Sequence, residues 1–290
     1  MKTNFIIYFQ ILNFFLFFSC KNDSASTVLT KNSHELPSEL REVSGMTYVN
    51  GKLWAIQDNG NTTKLFQLSD EGKILKKIKL EFVKNHDWEA ITHDNDGNLY
   101  IGDFGNNDNL RKNLAIYKIN KADLNKNSIG KLETIFFNYG DQKDFPPKKK
   151  ELFYDCESFF YKNGFFYLFT KNRSKNFDGT SYVYRIANKP EKQTISLQTT
   201  FITCDKYNSG AITDAALSPD GKTFVLLSNK RMWIYSDFKD AKSVKSANKE
   251  IKFATYTQRE SVTFKDNNTL FISDEKTKNV GGNLYEFDLK

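Results

Sequence analysis

The sequence predicts an all-β fold, a β-propeller of four-stranded antiparallel blades. Three observations point there. One apolar hairpin recurs about five times along the 290 residues. Aromatic residues make up 15% of the chain, with 26 Phe and 14 Tyr against only 5 Pro, a bias that suits pleated surfaces. No segment shows a convincing amphipathic helical period.

The hairpin copies run over 44–58, 89–103, 157–171, 214–228 and 260–274. Each is an apolar strand, a turn rich in Asn, Asp or Gly, and a second apolar strand. The turns carry Asn50-Gly51, Asp96-Gly97, Asn163-Gly164, Asp220-Gly221 and Asp266-Asn267. Asn-Gly and Asp-Gly tolerate the positive φ that a tight hairpin demands. A third strand with a recurring aromatic follows each hairpin: Phe66, Tyr117, Tyr184, Trp233 and Tyr285. A more polar fourth strand comes next in most copies, as over 74–80 and 135–138. Four antiparallel strands repeated radially describe a propeller blade, whereas a two-sheet sandwich does not normally repeat such a unit.

The last copy has only three strands before the chain ends. The stretch 26–30 has strand character and is expected to complete the fifth blade, closing the ring and removing exposed edges. Five blades are favoured over six, although a degenerate sixth has room in 131–154 or 191–209. No linker marks a second domain, so 36–290 reads as a single propeller.

The first residues read as an address. Lys2 precedes an almost wholly apolar run, 5–18, that ends in Phe17-Phe18-Ser19-Cys20. A small residue before a cleavage point is what a signal peptidase needs. Ser19-Cys20 with its polar successors resembles the lipobox of bacterial lipoproteins, with Phe17 where Leu is commonest. An ordinary secretory signal is the alternative. The lipoprotein reading makes 1–19 a signal peptide, Cys20 the acylated N-terminus, and 20–35 a tether that includes the closing strand. It predicts a protein exported to the cell envelope and held by its lipid on the outer membrane, and a monomer. Each buried CH₂ of an acyl chain contributes about 0.8 kcal/mol, so several chains anchor firmly.

The net charge of +7 comes from runs such as 73–79 and Lys148-Lys149-Lys150. In an exported protein these read as solvated lysines on outer strands, and nucleic acid is not an expected partner. No glycine-rich phosphate loop or zinc-like Cys/His spacing is present. An oxidising compartment permits a disulfide between Cys156 and Cys204.

The chemistry lies in the residues that open and close each hairpin. Copies two to five begin with Glu89, Glu157, Asp214 and Glu260, and copy one begins with Ser44. The far ends are polar too: Asp58, Asp103, Lys171, Ser228 or Asn229, and Asp274. Both ends of a hairpin meet at one edge of a blade, so a ring of carboxylates is expected at one mouth of the central channel. Carboxylates this close raise each other's pKa or require a cation. Calcium, which takes six to eight oxygen ligands, fits that need, with Glu89, Glu157, Asp214 and Glu260 as the candidate metal set. Asp58, Asp103, Lys171, Asp274 and Trp88 are candidate ligand contacts. Asp87 and Asp155 place a second acid two residues before Glu89 and Glu157. The plain structural alternative is that such acids only accept backbone N–H groups of the neighbouring blade. Trp54, Trp88 and Trp233 read chiefly as packing between blades, with Trp88 also placed to serve as a platform at the face. His86 sits near the same mouth.

Val43-Ser44-Gly45-Met46, Leu53-Trp54-Ala55-Ile56-Gln57-Asp58-Asn59-Gly60, Asp87-Trp88-Glu89-Ala90-Ile91 and Gly102-Asp103-Phe104-Gly105-Asn106-Asn107 resemble a group of secreted bacterial propellers. These are the SdiA-regulated-like, esterase-like phytase-like and TolB-like propeller proteins. Thr213-Asp214-Ala215-Ala216-Leu217-Ser218-Pro219-Asp220-Gly221 and Glu260-Ser261-Val262-Thr263-Phe264 extend the resemblance. It implies a propeller outside the cytoplasm, often calcium-bound. Regucalcin-like lactonases place a catalytic metal on Glu, Asn and Asp at one channel mouth, and the acids here are similar in outline. Two functions follow as expectations. One is an envelope protein whose acidic mouth holds a cation and binds a small ligand, a glycan or an envelope protein. The other is a metal-dependent hydrolase of phosphate esters or lactones.

Overall fold

In the computed structural model, residues 27–28, 32–244 and 246–289 are described. The expected lipobox and Cys20 lie outside them. The strands group into five sheets. Blade 1 comprises Val43–Val49, Lys52–Gln57, Lys64–Leu68 and Ile74–Leu80. Blade 2 comprises Trp88–His93, Leu99–Asp103, Leu114–Ile119 and Glu133–Tyr139. Blade 3 is formed by Asp155–Lys162, Phe165–Lys171, Thr180–Ala187 and Leu197–Ile202. Blade 4 is formed by Asp214–Leu217, Thr223–Leu227, Arg231–Ser236 and Lys249–Phe253. Blade 5 has Arg259–Phe264, Thr269–Asp274 and Asn283–Asp288. The innermost strands touch in the order 1-2-3-4-5-1, which closes a ring.

The ring is held by apolar layers between blades. Five core clusters lie among the described residues, one at each blade interface. Period-two alternation gives every strand two faces, and both faces of a blade's inner strands are apolar because a blade is sandwiched on either side. Trp54 and Trp88 share the layer between blades 1 and 2, and Trp233 packs between blades 3 and 4. The hairpin turns form as their residues require. Asn50 and Gly51 have φ of 53° and 70°, and Asn163 and Gly164 have φ of 51° and 82°, the paired positive values of a type I′ turn.

An N-terminal strand does complete blade 5, but it is not the stretch 26–30. Ser33–Glu35 pairs antiparallel with Asn283–Asp288, and the Leu36 N–H extends the pairing to the Gly282 carbonyl at 2.8 Å. Thr27–Val28 instead lies parallel on the outer strand of blade 4. The reason is a rule repeated elsewhere in the ring. Ser128–Ile129, just before the fourth strand of blade 2, laps parallel onto the outer strand of blade 1. Lys192–Ile195, just before the fourth strand of blade 3, laps onto blade 2. Each lap covers an open sheet edge. The two long spacers are therefore these laps and fourth strands, and no sixth blade occurs among the described residues.

Helix is confined to Tyr207–Gly210 and three short 3₁₀ turns among the described residues, and no helix there is long and apolar enough to cross a membrane. Cys156 is a buried free thiol whose Sγ approaches the carbonyls of Ser158 and Phe169, so it does not pair with Cys204.

Candidate functional site: an acidic channel mouth

The inner strands of blades 1, 2, 3 and 5 each carry a register break at one position. The residue skipped by the pairing is Ser44, Glu89, Glu157 or Glu260. A β-bulge re-aims a side chain that regular alternation would send between blades. Here the bulge turns these residues into the channel. Ser44, Glu89, Glu157 and Glu260 line a cavity of about 180 Å³ at one mouth, with Asp58, Asn107, Lys171, Arg173, Gln258 and Glu275.

Blade 4 differs from the expected register by one residue. Thr213 stands where Ser44 stands in blade 1. Ser44 Oγ donates to the Trp88 carbonyl and Thr213 Oγ1 to the Arg259 carbonyl, both at 2.6 Å, and each carbonyl immediately precedes a channel glutamate. Asp214 therefore points away from the mouth. Its carboxylate accepts the Ala215 N–H at 2.8 Å and the Val262 N–H of blade 5 at 2.7 Å. It is a strut between blades, and it does not line the cavity. Adjacent strand residues face opposite ways, so a one-residue offset is decisive.

The same offset sorts the far ends of the hairpins. Asp58 and Lys171 line the mouth. Asp103 and Asp274 sit one step earlier in register and are fully buried between blades. Each accepts a hydroxyl from the third-strand tyrosine of its own blade, Tyr117 at 3.2 Å and Tyr285 at 2.8 Å. Asp103 also pairs with Arg111 at 2.7 Å, and His86 Nδ1 lies 3.1 Å from it. Glu275, one residue past Asp274, is the blade 5 residue that reaches the cavity. Trp88 has no exposed surface and packs against Tyr117, so it offers no platform at the face.

The mouth has two unlike halves. On the blade 3 side Glu157 accepts from Lys171 Nζ at 3.0 Å and from Arg173 Nη2 at 2.7 Å, and Arg173 Nε reaches Asp155 at 2.5 Å. Burial works to raise Glu157, but the two cations outweigh it and hold the carboxyl below its usual range. On the blade 1–2 side no cation among the described residues forms an ion pair with Asp58, Asp87 or Glu89. Oxygens of Asp58, Asp87 and Glu89 lie within 4.8 Å of one another. Asn59 Nδ2 donates to Asp87 at 2.6 Å. Burial first, then neighbouring carboxylates, push Asp58 up to about 7 and Glu89 well above its usual range, and burial also raises Asp87. Burial and the charges of Glu260 and Asp58 push Glu275 up to about 8. Gly105 makes the convergence possible. A Cβ there would stand 2.4 Å from Glu89 Oε1 and 2.5 Å from the Asp87 carboxyl carbon.

This donor set suits a hard cation. Three carboxylate oxygens could supply part of the six to eight that calcium takes, and a divalent charge would relieve their raised proton affinities. The set is Asp58, Asp87 and Glu89. Of the four acids expected to hold a metal, Glu89, Glu157 and Glu260 line the cavity, Glu157 is paired with Lys171 and Arg173, and Asp214 is turned away. Asp87 and Arg173 carry the difference. The second acid two residues before each glutamate pointed to Asp87, and nothing in the repeat pattern pointed to Arg173.

Comparison with known proteins agrees with the fold. Residues 24–143 match the model of the SdiA-regulated family. No curated protein matches the sequence. Among solved structures, the PQQ-bound aldose sugar dehydrogenase of Streptomyces coelicolor is similar with a TM-score of 0.53 at 9% identity, covering 91% of this chain and 99% of that one. A putative gluconolactonase structure aligns with a TM-score of 0.49 at 10% identity over 86% of this chain and 74% of that one. At 9% identity the likeness to the sugar dehydrogenase speaks for the fold alone. The chain is a five-bladed β-propeller whose residues 24–143 carry the pattern of the SdiA-regulated family, the family its motifs resemble.

Proposed function

We propose that this is a lipid-anchored propeller of the cell envelope whose channel mouth binds calcium and, with it, a small polar ligand or partner. The observation that carries the reading is the convergence of Asp58, Asp87 and Glu89 within 4.8 Å, with no ion pair to any of them among the described residues, at the edge of an open polar cavity. Bound calcium would supply positive charge and open coordination positions. Asp58, Asp87 and Glu89 would hold it. Lys171 and Arg173, kept protonated by Glu157, line the same cavity and favour a ligand with an anionic or hydrogen-bond-accepting group.

Thermal unfolding with calcium against chelator tests the reading, with Asp87→Asn as the control. Calcium should raise the wild-type midpoint and leave the variant unmoved. An equal midpoint in calcium and chelator would reduce the mouth to hydrogen-bonding architecture. The envelope location rests on the 1–20 sequence pattern. Replacing Cys20 by Ser should abolish fatty-acid labelling and move the protein from the membrane to the soluble fraction; unchanged labelling would refute the anchor.

A metal-dependent hydrolase is favoured by one further observation. Glu275, held at about 8, lines the same cavity and is poised to exchange a proton near neutral pH. Silence across a panel of phosphate esters and lactones at saturating calcium would eliminate that reading and leave binding.

A further inference from the structure

A second cavity, of about 240 Å³, lies at the outer edge of blade 5 and shares no lining residue with the acidic mouth. One wall is the end of the N-terminal strand Ser33–Glu35 and its continuation to Arg41. The other is the loop 275–282 between the second and third strands of the blade. Glu275 lines the acidic mouth, and Lys276, next in the chain, lines this cavity. Backbone bonds hold the two walls together. The Lys276 N–H donates to the Arg41 carbonyl and the Leu36 N–H to the Gly282 carbonyl, each at 2.8 Å. Gly282, with φ of 79°, makes room for the Lys276 stem, since a Cβ there would stand 2.7 Å from Lys276 Cδ.

The charge around this cavity is one-sided. Arg41, Lys276 and Lys278 line it against Glu35 alone, which accepts from Lys276 Nζ at 3.0 Å. Among the described residues, nothing bonds or pairs with the Arg41 guanidinium or the Lys278 ammonium. Other acids close in the chain are already engaged. Glu39 pairs with Lys64 and Lys77, and Glu42 accepts from Asn61 Nδ2 at 2.8 Å. Ser38 adds a hydroxyl with no partner among the described residues, and Pro37 adds apolar surface.

Three cations facing one acid across a concave surface select an anion. The planar fork of arginine matches the oxygens of phosphate or carboxylate, and lysine adds a point charge. The free donors of Arg41, Lys278 and Ser38 outnumber what the two oxygens of a carboxylate can take, whereas a phosphate monoester presents three acceptor oxygens. A cavity of about 240 Å³ is smaller than the roughly 300–1,000 Å³ that encloses a whole ligand, so it fits a head group with the rest of the molecule outside. We propose that Arg41, Lys276 and Lys278, with Ser38, form a binding site for a phosphate monoester group. A small phosphate ester and the headgroup of a phosphatidic acid share that chemistry.

The full chain is titrated by calorimetry in the presence of chelator, so that calcium at the acidic mouth plays no part. The probes are glycerol 3-phosphate, monomeric dihexanoyl phosphatidic acid, and acetate at the same ionic strength. Glycerol 3-phosphate should bind saturably, and Arg41→Gln and Lys278→Gln should each weaken it about tenfold or more, the loss expected of a charge-assisted hydrogen bond. Neither side chain bonds another described residue, so that loss reads contact with the ligand and not a damaged fold. Lys148→Gln, in a lysine run outside the cavity, should bind as the wild type does. Phosphatidic acid binding no tighter than glycerol 3-phosphate identifies a small phosphate ester as the ligand, and tighter binding identifies a lipid headgroup. The absence of saturable binding by either phosphate overturns the site. So do acetate binding equally well, an unaltered affinity in both cavity variants, and an equal loss in Lys148→Gln.

Discussion

The two halves of the channel mouth occupy matching positions of one repeat and have opposite electrostatics. On the blade 3 side, Glu157 is a satisfied anion gripped by Lys171 and Arg173. On the blade 1–2 side, Asp58, Asp87 and Glu89 crowd together with no ion-pair partner among the described residues, and their proton affinities are raised. A repeat thus copies the position of a carboxylate but not its charge state. That state is set by the residue closing the hairpin, Lys171 in blade 3 and Asp58 in blade 1, and by what loops over the top. The paired half is built to stay as it is, and the unpaired half is built to accept something.

The largest effect should come from breaking the paired half. Glu157→Gln strands the buried Lys171 ammonium and leaves Arg173 with Asp155 alone, and removing one partner of a buried pair costs about 3–5 kcal/mol. Urea unfolding should show that loss, with calcium still binding the other half; a calcium response that vanishes with Glu157 would merge the halves into one site. Next is occupancy of the unpaired half. Calcium at a hundred times its Kd should stabilise the wild type by about 2.7 kcal/mol, and Asp87→Asn should erase the gain.

The same half should respond to pH. Asp58 and Glu275 have folded pKa values raised to about 7 and about 8 from 3.8 and 4.5. The folded state therefore binds more protons than the unfolded state between these limits, and stability without divalent ions should fall as pH rises from about 4 to about 8. Excess calcium should flatten that fall. A calcium-independent profile measured by denaturant midpoints would contradict the assignment.

Smaller effects separate the mouth from its supports. Asp214→Asn should destabilise by about 1–3 kcal/mol through a lost acceptor for a buried N–H, with calcium affinity unchanged. A changed affinity would return Asp214 to the mouth. Ser44→Ala should cost about 1 kcal/mol, the worth of one hydroxyl bond to the Trp88 carbonyl.

Much of the fold was legible in the sequence because its signals are local. Asn50-Gly51 and Asn163-Gly164 mark hairpins through positive φ, and the aromatics Phe66, Tyr117, Tyr184 and Tyr285 mark third strands. The closing strand was misplaced by a few residues, since Thr27–Val28 and Ser33–Glu35 both have strand character and only the edges they meet tell them apart. The site was legible to within one residue. Glu89, Glu157, Glu260, Asp58 and Lys171 do meet at the mouth, while Asp103, Asp214 and Asp274 are turned between blades.

By itself the sequence determined the all-β class, the five hairpins and the gathering of carboxylates at one edge of the ring. These follow from turn chemistry and from period-two alternation, which act over a few residues. Only the tertiary structure decided which acid of each neighbouring pair faces the channel, and which of those acids finds a cation. A bulge shifts the register by one and reverses a side chain's direction, and Arg173 meets Asp155 and Glu157 across 18 and 16 residues of chain. Both outcomes depend on how strands are aligned in space, which spacing along the chain does not record.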